Sequence, residues 1–320
     1  MLTVQSAPDA VGPATARFET RYEDLTQDGH VKLTALPQAL GRACFGQLWA
    51  EHPLSVLGRQ GVQPILSRLS IEIEPVAARL MGSLEGRGGL TLAHERDAAE
   101  HVSAIFLNAH ADVWALGKRN RRPEASTPGV RSRGSALGVR DEVAKPVRVG
   151  RVFGEHVFTR PHAPRAERKV LAFAVPGYPE LPSQRYQRPS FEQTVQLPDR
   201  ARALEDAFTS DVMPWAFGLT HTDGNQHVNS LAYIKLFEDA ALRRLASLGR
   251  PLHVLARGVE VHYRKPAFAG QQLQCVLRAF ATRDGDGVVG YLAEPGAAIE
   301  RAHCSLRMLF TPPPTAATAS

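Results

Sequence analysis

The residues best placed to do chemistry stand together in Asp223-Gly224-Asn225-Gln226-His227-Val228-Asn229. Asp223, Asn225 and His227 occupy alternate positions, so along an extended turn their side chains can point the same way. A helix is predicted directly after them, which brings unpaired backbone N–H groups and the positive end of a helix dipole beside the cluster. Such N–H groups polarise a carbonyl oxygen and stabilise an oxyanion. The Asp223 carboxylate or the His227 imidazole can activate water, and the Asn225 amide can position water or a bound molecule. Together these groups suit hydrolysis at an acyl carbon. The same run is also ordinary turn and helix-capping chemistry, with His227 bonded only to backbone. The residues alone leave both readings open. No serine or cysteine stands in a nucleophile-elbow context; Cys275 and Cys304 fall in predicted strands, where a packed thiol is the default.

The elements around the cluster can be read from periodicity. Leu231, Ile234, Phe237 or Glu238, Ala241 and Leu245 form one apolar stripe of a helix, capped by Asn229 or Ser230 and ended by Gly249 before Arg250-Pro251. Strand character continues over 253–265, 271–282, 286–293 and 298–311, with turns at Asp284-Gly285 and Pro295-Gly296. Alternation is visible in Val259, Val261 and Tyr263, and again in Cys304, Leu306, Met308 and Phe310. The N-terminal stretch FETRYEDLTQDGHVKLTALPQALGRACFGQLWAEH repeats this order. Its His30 stands 197 residues before His227, a spacing that suits two copies of one domain with an insertion between them. In this first copy a helix is expected near 34–51, carrying Leu36, Leu40, Cys44 and Leu48, and strands near 62–74, 77–86, 90–97 and 101–116. The predicted fold class is α+β: two tandem units, each an antiparallel sheet wrapped around a long central helix. The copies are placed at 15–116 and 211–312. The intervening 117–210 is read as a basic linker and irregular insertion, with a strand such as 168–175.

Composition narrows the function class. The chain has 320 residues, 43% hydrophobic and 22% charged, which excludes a fully disordered or collagen-like protein. Three widely spaced cysteines, Cys44, Cys275 and Cys304, match no metal spacing and no disulfide framework, so a reducing compartment is expected. The N-terminal stretch lacks a basic start and an apolar run, so no secretory leader is expected, and no run approaches the ~18 apolar residues of a membrane span. A cytoplasmic location is the expectation. The net charge of +6 suits acidic partners. Much of the excess sits in 117–140, where Lys118, Arg119, Arg121, Arg122, Arg131, Arg133 and Arg140 face a single Glu124. No zinc-finger, helix-turn-helix or RNA-binding signature accompanies that charge, so nucleic acid is not expected as a partner. No metal cluster or phosphate-binding glycine motif is present, and no cofactor is expected.

The string TDGNQHVNSLAYIKLFEDA resembles the active-site segment of hotdog-fold thioesterases. It is most like the D-x-N-x-H-V-N-x-x-x-Y pattern of acyl-ACP thioesterases and bacterial acyl-CoA thioesterases of the hydroxybenzoyl-CoA type. HYRKPAFAGQQL, residues 262–273, is similar to the strand and Y-x-x-P-A turn of such enzymes. The likeness runs over 213–311, with a weaker second match over 15–116. It implies a thioester hydrolase acting on acyl-CoA or acyl-ACP. Asp223, Asn225 and His227 would hold the catalytic positions, and amides around Val228 and Asn229 would bind the thioester oxygen. Val228, Leu231 and Tyr233 would line or back the acyl pocket. The tandem pair would act as a pseudo-dimer within one chain, with a homo-oligomer possible beyond it. Arg257, Arg264, Lys265 and the 117–140 segment are candidate contacts to an acidic carrier.

The chain also departs from the pattern. Plant acyl-ACP thioesterases carry a glutamate after the second-strand Tyr-Arg-Arg, whereas Tyr263-Arg264-Lys265 runs into Pro266 here. The role is then missing, taken by Asp223, or supplied by a neighbour such as Glu238 or Glu260. Asp223 is the favoured acid or base, and Glu238 reads first as a solvated helix residue. In the first copy Thr26 takes the Asp223 position and Asp28 the Asn225 position, so one working site is expected, in the C-terminal half. The alternatives are an acyl hydratase or dehydratase on the same fold, and a non-catalytic acyl-binding protein.

Overall fold

The structure, a computed structural model, describes residues 11–74, 82–116 and 146–313. Its strands are β1 (Val11–Glu19), β2 (Gln63–Ile73), β3 (Ser83–Arg96), β4 (Val102–Leu116), β5 (Val147–Thr159), β6 (Arg202–Ala203), β7 (Thr209–Ser210), β8 (Trp215–Ala216), β9 (Leu255–Tyr263), β10 (Gln272–Ala281), β11 (Asp286–Ala293) and β12 (Cys304–Thr311). They form one antiparallel sheet ordered β1-β3-β4-β5-β2-β9-β12-β11-β10-β6, with β7 and β8 also on β10. Its order reads the same from either end. β2 and β9 meet at the centre, pairing Arg68 with His262, Leu69 with Val261 and Ile71 with Val259. Each half thus presents the same strand at the seam.

The C-terminal half keeps closely to its sequence pattern. α1 (Ser230–Ser247) buries Tyr233, Ile234, Phe237, Ala241 and Leu245 against the sheet. The Asn229 side chain caps it, and Gly249, at φ +69°, ends it in the left-handed conformation that glycine adopts without strain. Val259 and Val261 lie fully buried on the helix side.

The first half departs from expectation in three places. A second long central α-helix is not formed: Leu33–Ala35 makes a short 3-10 turn and Leu40–Trp49 a π-helical segment with wider i→i+5 bonding. Pro37 explains the break, because it has no N–H to donate and its ring clashes with the preceding turn. Gly41 and Gly46 weaken the helical segment beyond it. Leu36, Leu40 and Cys44 are nevertheless buried as the spacing predicts. The runs expected near 77–86 and 90–97 contribute to one long strand, β3, while 75–81 lie outside the described residues. The fourth strand of this half is β5, inside the stretch read as insertion, and 168–175 is extended coil instead of a strand. The basic segment 117–140 lies outside the described residues.

Residues 160–210 form a strap over the sheet face opposite the helices. The His94 and Tyr186 backbones bond at one end, and Ser305 and Arg307 donate to the carbonyls of Phe191 and Gln193 at the other. Beneath the strap lies a buried charged cluster. Arg68 pairs with Glu260 at 2.8 Å across the β2–β9 seam, Arg307 stands 3.4 Å from the same carboxylate, and Tyr186 donates to Glu155 at 2.8 Å.

Candidate active site

The turn before α1 is built by local bonds. The Asp223 N–H donates to the His227 carbonyl at 3.2 Å, and the Gln226 N–H to the Asp223 carbonyl at 2.9 Å. Gln226 sits at φ +63°, a conformation that costs a side-chain-bearing residue about 1 kcal/mol. Asp223 folds back on the turn: its Oδ1 accepts from the Asn225 N–H at 2.9 Å and its Oδ2 from the Asn229 Nδ2 at 3.1 Å. Asn229 completes the link, its Oδ1 accepting the Leu231 N–H at 2.9 Å. One side chain therefore both caps the helix and fixes the carboxylate.

The structure brings together only part of the expected set. Asp223 and Asn229 are directly bonded. The Asn225 side chain is exposed at the tip of the turn and bonds no described residue. The half-buried His227 ring turns toward the neighbouring Val228 carbonyl, 3.2 Å from Nδ1, and makes no bond to Asp223. Val228 and Tyr233 are core residues. The Val228 N–H donates to the Ala267 carbonyl at 2.8 Å, and the Tyr233 hydroxyl accepts the Ala267 N–H at 2.9 Å. Ala267 is thereby clamped on both sides, which physically joins the HVN and YRKPA motifs.

The expected oxyanion donors also need correction. The amides of Val228 and Asn229 are consumed by the carbonyls of Ala267 and His221. The Leu231 amide is capped by Asn229, and the Ala232 amide bonds the Asn229 carbonyl. Ser230, the first residue of α1, is different: no described residue accepts its N–H. A cavity of about 310 Å³ opens at this point. Asn229, Ser230 and Leu231 form one wall, while the others come from the first half: Pro37 to Phe45, Leu66 and Leu69 of β2, and His156 of β5. Neither Val228 nor Tyr233 lines it. Sequence reasoning missed His156 and Phe45, although the alternation of Val152, Gly154, His156 and Phe158 marks β5 as a strand with one inward face.

The two replacement carboxylates go elsewhere. Glu260 projects to the strap side of β9 and is bound to Arg68. Burial works to raise its carboxyl, but the His262 ring and the charges of Arg68 and Arg307 prevail and hold it down at about 2. Glu238 is half-buried in α1, and desolvation raises its carboxyl above the usual range. It faces Thr26, His30, Lys32 and Arg257 in a water-sized pocket at the first-half turn. Arg264 is committed internally, lying 3.6 Å from the Phe191 ring centre and 2.9 Å from Glu192.

The first-half turn repeats the same skeleton bond for bond. Thr26 N–H reaches His30 O at 2.8 Å, Gly29 N–H reaches Thr26 O at 3.0 Å, and Lys32 N–H reaches Asp24 O at 2.8 Å. Gly29, at φ +76°, takes the place of Gln226. The chemistry is not repeated, since Thr26 and Lys32 replace Asp223 and Asn229. Among the described residues no group of three or more His, Cys, Asp or Glu is arranged to hold a metal ion, and no helix is long and apolar enough to cross a membrane.

No protein-family model and no curated protein sequence matches the chain. Solved structures do match over nearly its full length. An acyl-ACP thioesterase from Bacteroides thetaiotaomicron is similar at TM-score 0.55 and 14% identity, covering 93% of this chain and 97% of that one. A 12:0-ACP thioesterase from Umbellularia californica is similar at TM-score 0.55 and 10% identity, covering 94% of each. At these identities the likeness is one of fold. The chain shares the two-half hotdog architecture of these thioesterases from end to end.

Proposed function

We propose that this two-half hotdog chain hydrolyses acyl thioesters, carried by coenzyme A or by an acyl carrier protein, to a free acid and a thiol. One observation carries the reading: the Asp223 carboxylate, held by the Asn225 N–H and the Asn229 amide, adjoins the start of an 18-residue helix whose first amide has no described partner and whose first residues wall a cavity. In this reading the thioester oxygen lies at the Ser230 N–H, where the helix dipole favours developing negative charge. Water attacks the carbonyl carbon as its proton passes to Asp223. The C–S bond then breaks and the proton goes to the departing thiolate. Asn225 and His227, on the exposed side of the turn, orient the thioester as it enters. The C-terminal copy supplies the chemistry and the first copy the acyl wall, while Thr26 and Asp28 leave the first turn without an equivalent carboxylate and amide pair.

The test is release of free thiol from a panel of acyl-CoA and acyl-ACP thioesters by the intact protein and by Asp223→Asn. Removing the base is expected to lower kcat by about 100-fold or more, with the fold retained, and comparison of the two carriers assigns the substrate. Turnover that survives Asp223→Asn would overturn the assignment, as would activity lost in Asp28→Ala but kept in Asp223→Ala. Change in enoyl-CoA absorbance without thiol release would identify a hydratase instead.

A further inference from the structure

The acyl wall contributed by the first half is apolar at Leu40, Phe45, Leu66 and Leu69, with one buried exception. His156 projects into the same cavity from β5 and is only 8% exposed. Its ring packs edge-on against Phe45, with centroids 4.8 Å apart, and rests over Gly154. A Cβ at residue 154 would fall 2.9 Å from the His156 Cε1, so only glycine leaves the ring its place. Nδ1 stands 3.3 Å from the Leu107 carbonyl, which can only accept, so this nitrogen carries the proton and donates. The neutral ring then has its lone pair on Nε2, and no described residue supplies a donor to it. Burial pushes the imidazole down to about 4, so it stays neutral at physiological pH.

A fixed acceptor in an apolar wall discriminates between ligands. A plain alkyl chain packed over Nε2 strips it of water and returns no hydrogen bond, whereas a hydroxyl on the chain satisfies it. The cavity volume is at the lower end of the range for small-ligand sites, so the group held there is short or compact. We propose that His156 makes the cavity selective for acyl groups bearing a hydroxyl on the chain or ring. This rests on the hydrolase reading above and adds to it a substrate class and a residue from the opposite half.

The experiment compares kcat/KM within matched pairs: 3-hydroxyoctanoyl-CoA with octanoyl-CoA, and 4-hydroxybenzoyl-CoA with benzoyl-CoA. The ratio within a pair is unaffected by the fraction of protein folded. The intact protein is expected to favour the hydroxylated member of at least one pair by about tenfold. His156→Phe, which keeps a ring against Phe45, should bring that ratio to about one. His156→Gln, whose amide oxygen can accept, should recover part of it. A ratio near one in the intact protein, or an unchanged ratio in His156→Phe, overturns the inference and leaves hydrolysis standing. If no thioester is cleaved, the hydrolase reading fails. Calorimetric titration of the free acids of the same pairs then decides the inference, with equal affinity for both members overturning it.

Discussion

Glu260 tests both the architecture and the boundary of the site. It stands one residue from Val259 and Val261, which face α1, so the strand's two-residue period turns it to the other face, under the strap. Its side chain is 10% exposed and that of Arg68 7%, so this ion pair is poorly screened. The carboxyl is held at about 2 against an ordinary 4.5, a shift worth about 3 kcal/mol of folding stability above the upper value. In Glu260→Gln, Arg68 and Arg307 lose their shared counter-charge within a buried site, and breaking such a pair costs about 3 kcal/mol or more. Urea unfolding at pH 7, monitored by tryptophan fluorescence, should therefore show a loss of about that size. The depressed carboxyl sets the sign with pH. Between the two values the unfolded chain binds a proton that the folded chain does not, so stability falls as pH drops from about 4.5 towards 2. The gap between intact protein and variant should close over that window. Turnover per folded molecule should be unchanged. A variant within about 1 kcal/mol of the parent at pH 7, or a gap that does not narrow with acid, would refute the placement of this charge; a fall in kcat would refute its separation from the site.

Two further substitutions probe the halves separately. Gly86→Ala places a methyl group 2.6 Å from the Ala39 Cβ and 3.1 Å from its Cα, where only backbone movement can relieve the clash; chemical denaturation should show a loss of about 1–3 kcal/mol. Glu238→Gln should stabilise the protein at neutral pH, because burial disfavours the charged carboxylate in the folded state. That gain should vanish in acid melts below the ordinary carboxylate range, where the native group is protonated folded or unfolded, and a loss of stability at pH 7 would contradict it.

The C-terminal half was legible because its local rules agree. Apolar period, Asn229 cap and Gly249 stop all specify the same helix, and alternation in β9 and β12 specifies which face packs. The first half was harder because its rules conflict. Leu36, Leu40 and Cys44 ask for a helix, while Pro37, Gly41 and Gly46 interrupt it, and packing settles the conflict with a 3-10 turn and a π-helical segment. β5 was hidden by distance: a basic segment of loop composition separates it from β4, its neighbour in the sheet. The carboxylate-bearing turn lay in contiguous sequence and could be read directly. The cavity wall could not, because His156, Phe45 and Leu69 meet Ser230 only after the two halves pair, and no spacing in the chain encodes that meeting. The orientation of Glu260 was available from its valine neighbours.

The repeated turn shows how one half could lose chemistry without losing structure. The bonds that shape it run between backbone groups, so they survive the exchange of Asp223 for Thr26 and of Asn229 for Lys32. Gly29 even relieves the left-handed strain that Gln226 bears in the other copy. The functional difference then rests on the side chains set on this common skeleton. Asn229 bridges helix and carboxylate in one copy, while in the other Lys32 lies in a pocket with the desolvated Glu238. The pocket at the first-half turn is only water-sized, whereas the cavity beside Ser230 has room for a small ligand. Divergence has thus left a near-symmetric sheet with one open end at its seam. The half that lacks the carboxylate still shapes that opening, because its interrupted helix and β5 form the wall facing Ser230.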